Sequence, residues 1–156
     1  MEALLAGLAA TDLATALRGS RWLYAAVNGG HILGIALLVG GIAPLDLRLL
    51  GCWPSVDRTV LERVLTPMAE AGLTLAVLTG LLLFACRAPD YADLTVFQAK
   101  LGLITVGASA ALLLHVRYGR ALERAPAGRL RRAAALSLIC WTGALGLGRL
   151  IAFVGP

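Results

Sequence analysis

Four long apolar stretches, separated by charged or proline-containing segments, leave this chain few folds to adopt. A bilayer core is crossed by about 20 apolar residues in helical form, because backbone groups deprived of water must bond within their own segment. Each stretch meets that length. The first runs from about 22 to 45 and ends at Asp46-Leu47-Arg48. The second runs from about 68 to 86, just after Pro67, a residue suited to the first turn of a helix. The third covers about 97 to 116 with Lys100 near its start, able to snorkel, and the fourth covers about 133 to 154 with Arg149 as its one charge. The expected fold is therefore all-α, a single domain over residues 1–156 with four transmembrane helices in an up-down-up-down bundle.

Composition agrees, since 59% hydrophobic residues and a mean hydropathy of +0.82 exceed what a soluble domain of 156 residues carries. Leu4, Leu5, Leu8, Leu13 and Leu17, with Thr11, Asp12, Thr15 and Arg18, predict an amphipathic helix lying in the membrane surface ahead of the first span. Glu2 follows Met1 and the first basic residue is Arg18, so no cleaved leader is expected. Cys52, Cys86 and Cys140 are odd in number and lack a CxxC pair, which fits small apolar fillers better than a disulfide framework or a zinc site.

Fourteen basic residues against nine acidic give a net charge of +5, and all but Lys100 of the basic residues are arginines. They cluster at the edges of the apolar runs, without interleaved aromatics. That placement suits lipid headgroups and not nucleic acid. The first and third connections carry Arg48, Arg58, Arg63, Arg117, Arg120, Arg124, Arg129, Arg131 and Arg132. The opposite face carries Arg18, Arg21, Arg87, Lys100 and Arg149. The positive-inside rule then places both termini outside the cytoplasm, and Trp22, Tyr24, Trp53, Tyr91 and Tyr118 near span ends suit aromatic belts.

Ionisable groups in a bilayer cost about 2.5 to 3.5 kcal/mol each on insertion scales, so those retained are candidates for function. Counting depth along the runs places His31 near Lys100 and Arg149 on the outer side. Asp46, Arg48, Glu70 and His115 form a polar set on the inner side, where Glu70 with His115 and Asp46 with an arginine are natural partners. Asp46 and Arg48, two apart on a helix, do not face each other and each needs another partner. His31 lies among Gly29, Gly30 and Gly34, small residues that either let helices pack closely or leave a groove for a flat ligand. In the groove reading His31 is an axial ligand to haem b, Gly30 and Gly34 give the macrocycle room, and Lys100 and Arg149 meet its propionates. His115 is a weaker iron-ligand candidate, because its estimated depth differs from that of His31 by about ten residues, or about 15 Å. The bland reading of His31 is a neutral histidine bonded to a carbonyl of another helix. No P-loop, nucleophile elbow, HExxH or GxGxxG is present, which disfavours hydrolytic and nucleotide-dependent chemistry.

The runs His31-Ile-Leu-Gly-Ile-Ala-Leu-Leu-Val-Gly40 and Leu45-Asp-Leu-Arg-Leu-Leu-Gly51, with Thr79-Gly-Leu-Leu-Leu-Phe84, Phe97-Gln-Ala-Lys100, His115 and Gly148-Arg-Leu-Ile-Ala152, resemble a family of uncharacterised bacterial four-helix integral membrane proteins. That family often carries Asn in the third span and Tyr after the final Ala, where this chain has small residues and Phe153. The resemblance implies a multi-pass protein of the bacterial inner membrane and points to His31, Asp46, Arg48, Lys100, His115 and Arg149 without supplying a chemistry. Three functions are therefore expected in order: a haem-binding electron-transfer or membrane-anchor subunit, a cofactor-free assembly subunit of a larger membrane complex, and a carrier for protons, metal ions or a small anion. The partners expected are the bilayer and either further copies of the chain or other subunits.

Overall fold

A computed structural model describes residues 2–119, 122 and 124–154. Arg120, counted above among the basic residues of the third connection, lies outside them. The described residues form only helices: α1 (Glu2–Ala9), α2 (Asp12–Gly19), α3 (Arg21–Leu50), α4 (Arg58–Cys86), α5 (Ala88–Ala92), α6 (Thr95–Tyr118) and α7 (Ala127–Val154). The helices α3, α4, α6 and α7 are each long and apolar enough to cross a membrane. Only 6% of the most apolar window of α6 and 22% of those of α3 and α4 are buried within the protein. The apolar remainder suits a hydrocarbon surrounding.

The helices outrun their apolar stretches. At 30 residues α3 spans about 45 Å, well beyond the roughly 30 Å hydrocarbon core. Contrary to the sequence expectation, Pro67 does not begin the second span: α4 starts nine residues earlier at Arg58 and carries Pro67 in its interior. The reason is a stronger start signal upstream. The Asp57 carboxylate accepts bonds from the Thr59 backbone N–H at 2.7 Å and the Thr59 hydroxyl at 2.6 Å. Those bonds hold its carboxyl below the usual carboxylate range. At the other end of that connection, Gly51 closes α3 in the left-handed conformation (φ 113°), a backbone geometry that glycine adopts without strain.

The tightest packing is between α3 and α4. A Cβ on Gly34 would fall 2.6 Å from the Ala76 backbone nitrogen, one on Gly41 2.9 Å from the Leu65 carbonyl, and one on Gly72 2.7 Å from the Gly34 carbonyl. Residue numbers along this seam rise on α3 as they fall on α4, so the two helices run in opposite directions. The same holds for α6 and α7, where Lys100 meets Gly148, Leu103 meets Gly143 and Gly107 meets Cys140. Small residues supply this approach in a membrane, where apolar side chains gain little from leaving lipid.

Helix α3 also packs on α7, but no Cα atom of α4 lies within 8 Å of one on α6. The four long helices therefore form a ring open on one side. At one end the opening is bridged by Phe84 and Phe97, stacked with ring centroids 5.3 Å apart, and by Tyr91, 6.0 Å from Phe97. Farther in, Leu38, Ala69 and Trp141 form a buried cluster onto which Ile42, Leu73 and Ile104 pack, so all four helices meet there.

The expected single surface helix is two, because the chain turns at Ala10 and Thr11 caps α2 by accepting from the Ala14 N–H. The pair packs down against the end of α4, with Ala14 and Leu17 fully buried. Arg18 ties it there, donating to the Cys86 carbonyl at 2.9 Å and to the Ala9 carbonyl at 2.7 Å. A guanidinium at the C-terminal carbonyls of α4 also complements the helix dipole. Arg18→Ala should cost about 1 to 2 kcal/mol and loosen the arm first. Limited proteolysis checks this, with early cleavage near Ala10 expected in the variant and not in the wild type.

Candidate functional site

His31 sits on α3 where that helix faces α4. Its Nδ1 lies 2.9 Å from the Ala76 carbonyl oxygen and 3.1 Å from the Thr79 hydroxyl oxygen. A carbonyl only accepts, and the Thr79 hydroxyl already donates to the Leu75 carbonyl at 2.6 Å. Nδ1 must therefore carry the proton, and in neutral imidazole the lone pair is left on Nε2. The room for the ring comes from α4: a Cβ on Gly80 would stand 3.0 Å from His31 Cε1. Gly30 and Gly34 do not make that room, because they face α4 directly, Gly30 against the Thr79 methyl and Gly34 against the backbone of Gly72 and Ala76.

Lys100 on α6 is close enough to His31 to act on it electrostatically. Its ammonium lies 3.4 Å from where a Cβ on Gly148 would be, so Gly148 clears its path. His31 and Lys100 thus stand near each other, at a depth between the Phe84–Phe97 stack and the Leu38–Trp141 cluster. Arg149 does not turn into it. Its side chain is exposed and its guanidinium lies over the Phe153 ring at 4.9 Å from the centroid.

Asp46 and Arg48 turn in different directions. Asp46 is 6% exposed and turns toward α7, where Ser137 stands beside its carboxylate. Its Oδ2 has no hydrogen-bond partner among the described residues. Arg48 turns away, donating to the Val56 carbonyl at 2.7 Å and the Pro54 carbonyl at 3.2 Å, and so ties the first connection to the end of α3. His115 lies 2.8 Å through Nδ1 from the Ala111 carbonyl of its own helix, and Glu70 is exposed on α4. Along α6, His115 stands fifteen residues from Lys100, about 22 Å at helical rise, so His31 and His115 of one chain occupy opposite ends of the protein.

Sequence reading named Thr79, Gly80 and Gly148 only inside the runs that carry the resemblance, without a role, although they flank His31 and Lys100, and it passed over Ser137, which stands beside Asp46. It also passed over Glu62, 6% exposed with Arg58 Nε at 3.1 Å. The Arg58–Glu62 pair had a readable signal in its i,i+4 spacing. For the others the signal exists only once the helix pairing is known. Among the described residues no three His, Cys, Asp or Glu side chains converge in a way that could hold a metal ion. No family model, curated protein or solved structure matches the chain.

Proposed function

We infer that the chain is a multi-pass membrane subunit, its long helices crossing up-down-up-down with both termini outside the cytoplasm of a bacterial cell, and that it holds haem b at His31 as an electron-transfer or membrane-anchor protein. The observation that carries this reading is the His31 hydrogen bond. A histidine that ligates a metal characteristically gives its other ring N–H to a carbonyl or carboxylate, which fixes the ring and its tautomer. His31 gives Nδ1–H to the Ala76 carbonyl, leaving Nε2 as the ligating nitrogen. Lys100 supplies a cation near His31 for a propionate, and the side where α4 and α6 do not pack offers an entry from the bilayer. Bound there, haem would supply one-electron chemistry. His31 would hold the group, and the His115 of the same chain stands too far away to share in holding it.

A cofactor-free assembly subunit is the second reading, and the same bond favours it, since His31 ties α3 to α4 whether or not Nε2 has a ligand. Absorption spectra of the detergent-purified protein, expressed with added haem precursor, separate the two. A Soret band and a dithionite-reduced α-band in the wild type, both lost in His31→Ala, are expected. A colourless wild type would overturn the haem reading and leave the assembly subunit, to be pursued by co-purification with a larger complex.

A further inference from the structure

The end of the protein away from His31 carries a cluster of exposed arginines. Arg117, Arg124, Arg129, Arg131 and Arg132 lie within the last turn of α6, the connection and the first turns of α7. All five are exposed, and none pairs with an acidic side chain among the described residues. The first turn of α7 also contains no acidic residue, so Arg129 and its neighbours sit against the positive end of that helix dipole. Like charges gathered at a helix N-terminus repel one another and the dipole, and an external anion relieves both.

Two of these guanidiniums share one aromatic ring. Arg117 lies 5.9 Å and Arg129 5.8 Å from the centroid of Tyr118, which joins the end of α6 to the start of α7. Arg132, three residues beyond Arg129, is on the same face of α7 and spends its Nε–H on the Gly128 carbonyl at 3.3 Å. Directly along the two helices from this charged site the surface turns apolar. Leu113 and Val116 on α6 are 68% and 76% exposed, and Leu136 and Ile139 on α7 are exposed as well. A cationic, aromatic-backed patch above an uncovered apolar wall matches a phosphate headgroup with its acyl chains below.

We propose that Arg117, Tyr118 and Arg129, with Arg132 on the same face, form a binding site for the phosphate of an anionic phospholipid whose acyl chains lie along α6 and α7. The site is independent of the haem reading, being at the opposite end of the protein.

Native mass spectrometry and thermal unfolding of the full-length protein in detergent test it, with diphosphatidylglycerol, phosphatidylglycerol, phosphatidylcholine and inorganic phosphate as probes. The two anionic lipids should bind and raise the unfolding temperature, and phosphatidylcholine should not. The R117Q/R129Q variant should reduce bound anionic lipid by about tenfold, two charge-assisted contacts having been removed. The R21Q/R87Q variant, which removes equal charge at the other end, should bind as the wild type does. Equal stabilisation by inorganic phosphate alone would assign the site to a free anion and overturn the lipid. Undiminished binding to R117Q/R129Q, or equal loss in R21Q/R87Q, would overturn the site.

Discussion

Gly72→Leu should prevent α3 and α4 from closing and leave little or no monodisperse protein in detergent. A side chain at position 72 would run into the Leu38 backbone nitrogen and into the Gly34 carbonyl, which is 2.7 Å from the Cβ position. Both obstacles are backbone, so no rotamer change clears them and one helix must move bodily. Inserting methylenes into ordinary packed cores costs about 1 to 3 kcal/mol, and a clash with backbone along the principal seam should exceed that range. Gly72→Ala should already destabilise, by about 1 to 3 kcal/mol. Gly29→Leu is the matched control, since nothing lies within 4 Å of its Cβ position. Replacing that glycine puts an apolar side chain toward lipid and removes helix-destabilising flexibility, so its effect should be small and of either sign. Size-exclusion profiles and unfolding by denaturing detergent would rank the three variants. A Gly72→Leu protein as stable as Gly29→Leu would mean that the α3–α4 seam is not as close as described.

The same contrast shows what the sequence carried. The four spans were legible because a bilayer enforces one simple rule, a run of apolar residues long enough to cross, and the chain obeys it four times. Element ends were less legible. Pro67 read as a start because proline is tolerated there, yet the Asp57 cap and the apolar residues Val60, Leu61, Val64 and Leu65 begin the helix earlier. The glycines of α3 could be recognised as special, but their partners could not. Whether Gly30 and Gly34 leave a groove or fill a seam depends on Thr79, Gly72 and Ala76, residues more than thirty-five positions away, and nothing local to α3 encodes that pairing. Depth counting did bring His31 and Lys100 to one level, because rise per residue is nearly constant in helices. It could not bring Asp46 to Ser137, or turn Arg149 outward onto Phe153, because depth says nothing about rotation around the helix axis.

Rotation is also why Gly80, and not a residue beside His31, sets the space for the imidazole. Gly80→Leu should displace the imidazole without removing it. The added Cβ alone would stand 3.0 Å from Cε1, and the rest of the side chain would occupy the volume of the ring. The ring would then leave the Ala76 carbonyl and the Thr79 hydroxyl, which accept from Nδ1 at 2.9 and 3.1 Å. Losing this bonding while overpacking the seam should together cost about 2 to 4 kcal/mol. If His31 is a haem ligand, Gly80→Leu should also abolish the α-band, although the ligand residue is retained. Restoring space on the other side of the contact then discriminates between the two readings of the site. In the double variant His31→Ala with Gly80→Leu, an apolar side chain fills the cavity that the imidazole left, and stability should recover by at least half of the Gly80→Leu loss. An assembly subunit would regain its function along with its packing. A haem protein would regain only its stability and stay colourless. A double variant no more stable than Gly80→Leu alone would show that the ring and the glycine do not share the space described.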